Sequence, residues 1–69
     1  MNNKYYRVRI AIDTIANIII GTTLETVFDY AMPYDKTWFR GKYEFKEKSF
    51  ESEAEAREFK HLYDECYVR

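Results

Sequence analysis

Sixty-nine residues with one cysteine, one histidine and a net charge of −1 make a single small domain spanning residues 1–69, with neither an internal disulfide nor a four-ligand zinc site. Apolar residues are 46% and aromatics 19%, which excludes a disordered chain, and eleven Lys+Arg against twelve Asp+Glu exclude a strongly basic nucleic-acid arm. A chain this short buries only about 60% of its unfolded surface, so its stability leans on an aromatic core or on self-association.

The first element is a strand. From residue 6 to 12 the pattern alternates, with Tyr6, Val8, Ile10 and Ile12 on one side and Arg7, Arg9, Ala11 and Asp13 on the other. Residues 15–20, with three consecutive isoleucines, read as a second strand covered on both faces, and Asp13-Thr14 as the turn between the two. Gly21 then interrupts the pattern. Thr22 with Glu25 forms a capping box, and Leu24, Val27, Phe28 and Ala31 stand at i, i+3, i+4 and i+7, which predicts a helix over residues 23–32 ended by Pro33.

Residues 34–36 read as a loop and residues 37–50 as strand, rich in Trp, Phe, Tyr and Thr. Either this run is one strand, or Arg40-Gly41-Lys42 is a turn that splits it into a hairpin. As one strand it carries Trp38, Arg40, Lys42, Lys46 and Lys48 on a single parity. Ser52 with Glu55 is a second capping box, and Ala56, Phe59, Tyr63 and Cys66 form an apolar stripe widened by Leu62 and Tyr67. A second helix is predicted over residues 52–67. The expected fold is α+β: a small antiparallel sheet of three or four strands with two helices packed on one face, in the order β-β-α-β(-β)-α.

The chemistry of catalysis is missing from the pattern. His61 and Cys66 lie five apart on a predicted helix, on different faces, so they form no dyad, and Cys66 reads as a small core residue. Two glycines twenty residues apart build no phosphate loop. Glu58-x-x-His61 places one carboxylate and one imidazole on a helix face, too few ligands for a metal site. The chain is therefore read as no enzyme, with no metal and no cofactor.

Binding is the better prospect. Residues 36–48 hold five cations against two acids, a local +3, with Trp38 among them. An aromatic among cations on a sheet suits both protein contact and base stacking, and the plainer alternative is an outer strand kept soluble by its lysines. Thirteen rings exceed what so small a core encloses, so some of Tyr34, Trp38, Tyr43 and the other tyrosines reach the surface. The candidate binding residues are Trp38, Arg40, Lys42, Tyr43, Lys46 and Tyr34.

The size and the Lys/Glu/Ile/Tyr-rich composition resemble accessory proteins of phages and mobile elements, which act by binding a host macromolecule. The expected function is thus a non-enzymatic protein-binding module, an inhibitor or regulator of a host protein. The alternatives are a single-stranded nucleic-acid binder and a structural homodimer. No signal-peptide run or bilayer-length apolar segment is seen in the chain, so no membrane partner and a cytoplasmic location are expected.

Overall fold

A computed structural model describes residues 3–67, and side chains as far as Asp64. Four strands and one helix follow in order: β1 (Asn3–Asp13), β2 (Ile18–Asp29), β3 (Lys36–Arg40), β4 (Tyr43–Phe50) and α1 (Glu53–Tyr67). The sheet is antiparallel throughout, in the order β2-β1-β4-β3. It is a small α+β fold with one helix, not two.

The predicted helix over residues 23–32 is strand instead as far as Asp29. Seven of the 12 residues of β2 are β-branched, and it pairs with β1 through eleven residue pairs, from Asn3 with Asp29 to Asp13 with Ile18. That ladder satisfies the backbone along the whole segment, and β-branched side chains sit well on a pleated surface. The helical spacing of Leu24, Val27 and Phe28 is overridden: Leu24 lies opposite Val8 and packs on the core, whereas Val27 lies opposite Tyr5 on the other face.

The strand predicted over residues 15–20 starts only at Ile18. Asp13 Oδ1 accepts hydrogen bonds from the N–H groups of Ile15 and Ala16, both at 3.0 Å, and Asn17 adopts the left-handed region at φ 58°. These hold residues 14–17 as a turn. Pairing then slips at Ala11/Ile12, where Ile20 is the extra residue of a bulge. Of the three isoleucines only Ile19 packs on the core; Ile18 and Ile20 are exposed, so the run is not covered on both faces.

The run over residues 37–50 is a hairpin. Arg40 pairs with Tyr43, and Gly41 stands at φ 61° in the two-residue turn Gly41-Lys42. A positive φ at the first turn position alone is the pattern of a type II′ turn, which glycine supplies without a Cβ penalty. The hairpin turn is tied to the β1–β2 turn. Thr14 donates to the Lys42 carbonyl from its N–H at 3.0 Å and from its hydroxyl at 2.5 Å.

Helix α1 begins at its Ser52 cap, whose hydroxyl accepts from the Glu55 N–H at 3.4 Å, with Glu53 and Glu55 at the positive end of the helix dipole. It lies over β2 and β1 and less over β4. Ala56 seals against Val8 and Ile10, and these three are the fully buried centre at 0%, 0% and 1% exposure. Tyr6, Ile12, Ile19, Leu24, Phe50, Phe59 and Tyr63 surround them. The Phe50, Phe59 and Tyr63 rings form a chain with centroids 5.3 and 5.1 Å apart. Leu62, placed on the stripe by its spacing, is exposed. The side chains of Cys66 and Tyr67, also assigned to that stripe, lie outside the described residues.

One helix on one face leaves the other face of the sheet uncovered by a second layer. The Cα envelope of 43 × 24 × 12 Å is a slab of that kind. The connection over residues 30–35 runs from the β2 edge to the β3 edge across one end of the sheet. Asn3 Nδ2 donates to the Tyr30 carbonyl at 3.2 Å, and Asp35 Oδ1 accepts from the Ser49 N–H at 3.2 Å.

Candidate functional site

Cross-strand register decides what shares the open face. Val8 and Ile10 face the helix, so Arg7, Arg9 and their partners face away. Beside them on β4 stand Phe45 and Glu47, and on β3 Lys36, Trp38 and Arg40.

These side chains form one layered cluster. Trp38 stacks on Phe45, its register partner, with centroids 5.4 Å apart and planes 17° from parallel. The Arg9 guanidinium lies over the Trp38 ring at 5.9 Å and bonds Glu47 through Nε at 2.7 Å. Glu47 is buried, and a second contact from the Arg9 terminal nitrogen completes its pairing. Arg7 donates from Nε to Glu25 at 2.7 Å. An open groove of about 660 Å³ runs along this cluster, lined by both arginines, Glu47, Trp38 and Asp35-Lys36-Thr37. Trp38 remains 36% exposed at its wall.

Of the six residues proposed from sequence, Trp38, Arg40 and Tyr43 do lie on this face. Lys42 sits in the hairpin turn at its end. Its Nζ is 3.2 Å from Asp13 Oδ2 and lies over the Tyr43 ring at 5.3 Å. Lys46 is on the opposite face, opposite Ile10 and Thr37. The reason is the turn: two residues between Arg40 and Tyr43 reverse the parity, so Lys46 and Lys48 leave the Trp38 side while Phe45 and Glu47 join it. Tyr34 is 88% exposed in the crossing connection.

Arg7, Arg9, Phe45 and Glu47 were missed. The alternation in β1 already sets the two arginines on the polar side. What the pattern lacks is the strand that lies next to them.

Two carboxylates are held below their usual range. Asp13 is lowered first by the Ala16 N–H, then by the Lys42 ammonium and the Ile15 N–H, against some desolvation, and Lys42 is raised in return by Asp13. Asp64 is lowered by Lys60 and by the Thr22 hydroxyl, which donates to it. Among the described residues no group of three or more His, Cys, Asp or Glu is placed to hold a metal ion, and no helix is long and apolar enough to cross a membrane. The open face therefore offers a planar aromatic wall, a layered guanidinium and two β1 arginines already paired with carboxylates. No protein family matches the chain, and neither does a curated protein or a solved structure.

Proposed function

We propose that the chain is a non-enzymatic protein-binding module that regulates its partner by occupying it, with the contact centred on Trp38. The observation that carries this reading is the Arg9–Trp38–Phe45 stack on the uncovered face. Trp and Arg rigidly held at a groove wall are the residue types that dominate interface energies. Phe39, exposed on the other side of the same short strand, extends the apolar contact around the edge.

The charge pattern favours a protein over a nucleic acid. On the open face Arg7 and Arg9 have carboxylate partners in Glu25 and Glu47, and Lys42 at its end has Asp13. Lys36 and Arg40 are the two further cations of that face, too few to neutralise many phosphates.

The test is capture from cell lysate with the wild-type and Trp38→Ala chains side by side, at low and high salt, with a labelled single-stranded oligonucleotide titrated in parallel. The reading expects one protein retained at both salts by the wild type and lost by Trp38→Ala. Equal retention by both chains, or oligonucleotide binding that collapses steeply with salt, would overturn it.

A further inference from the structure

We infer that the outer edge of β2 is a self-association site, where a second copy of this chain pairs antiparallel to make one continuous eight-stranded sheet. The β2 edge is 12 residues long, and no strand pairs with it among the described residues. Its sequence, IIIGTTLETVFD, contains no Lys, Arg or Pro, the residues that ordinarily keep an edge strand single. Its free N–H and C=O groups ask for a strand, and Ile20 and Phe28 stand beside them 41% and 63% exposed.

A second copy fits this edge in register over its middle, from Thr22 to Thr26, clear of the bulge at Ile20. Antiparallel pairing about a two-fold axis sets residue i against residue j with a constant sum. An axis at Leu24 puts Leu24 against Leu24, Thr22 against Thr26, and exposed Ile20 against exposed Phe28. Glu25 meets Thr23 rather than another Glu25, and its charge is already paired to Arg7 at 2.5 Å.

The helices also fit. Because α1 lies over both β2 and β1, one added strand spacing of about 4.8 Å sets the two helices about 10 Å apart, a normal helix-packing distance. The α1 flank on that side carries Glu53, Arg57, Lys60 and Asp64. These form two internal ion pairs at 2.7 and 2.8 Å, so two such flanks meet without net repulsion. The fully buried centre, Val8, Ile10 and Ala56, is small for a lone chain, and a second copy relieves that shortage.

The test is mass in solution over a dilution series, with two sets of variants. The wild type is expected at twice 8.4 kDa. The double variant Ile20→Lys/Phe28→Lys sets like charges opposite each other twice, and is expected to raise the dissociation constant about 100-fold or more with an unchanged circular dichroism spectrum. Trp38→Ala is expected to stay dimeric. In a Cys66→Ser background, Ile20→Cys and Phe28→Cys chains are expected to cross-link through a short bis-maleimide when mixed, and not when either is alone. A wild-type mass of 8.4 kDa at every concentration overturns the proposal and leaves the edge to a strand of another protein. A mixture that fails to cross-link, or a monomeric Trp38→Ala chain, overturns it too.

Discussion

The two edges of this sheet are managed in opposite ways. β3 has five residues, begins with Lys36, ends with Arg40, and turns its tryptophan inward onto Phe45. β2 has 12 residues and only two charges, Glu25 and Asp29, both acidic. A short strand flanked by cations resists pairing with other strands and presents side chains instead, whereas a long strand with no cation presents its backbone. The contrast underlies the two proposed kinds of recognition: side chains on the β3 side, a hydrogen-bond ladder on the β2 side.

The strongest way to break that contrast is to remove what both edges share. β1 and β4 carry the sheet between them, and Ile10 lies at its sealed centre. Ile10→Ala is expected to cost about 2–5 kcal/mol in urea unfolding and to weaken both edges together. If only one edge suffered, the sheet would not act as a single cooperative unit.

Separating the edges comes next. Trp38→Ala is expected to weaken partner capture by about 2 kcal/mol or more, roughly thirtyfold, without altering the mass in solution. Ile20→Lys/Phe28→Lys is expected to do the reverse. Affinity and mass measured on the same samples check both halves.

A smaller effect sharpens the β3 side alone. Gly41 stands at φ 61°, where a Cβ costs roughly 1–2 kcal/mol. Gly41→Ala is expected to speed amide hydrogen exchange in β3 first and to leave β2 protected.

Acid gives the smallest effect, at the end of the sheet where the two turns meet. Asp13 is depressed in the folded chain, so its contribution is fully present above the unfolded carboxylate value of about 3.9 and is lost as pH falls through the lower folded value. The urea midpoint is expected to drop below about pH 4, and Asp13→Asn to flatten part of that drop.

Some of this was legible in the residues. The alternation from Tyr6 to Ile12 and the Ser52 cap ahead of Ala56, Phe59 and Tyr63 are local signals, and local signals report which side of an element is apolar. For the same reason the partial exposure of Trp38 was legible: a ring among cations stands out without knowledge of its neighbours. Arg9 and Glu47 were not found, because they meet only where β1 and β4 pair, across 38 residues of chain.

By itself the sequence determined that β1 alternates, where α1 starts, and that aromatic rings outnumber the space in the core. Tertiary structure alone decided that residues 23–29 are strand, that Lys46 leaves the Trp38 face, and that one side of the sheet stays bare. Each of those outcomes depends on which strand lies alongside. A backbone group is satisfied by its partner, and no periodicity within one segment names that partner.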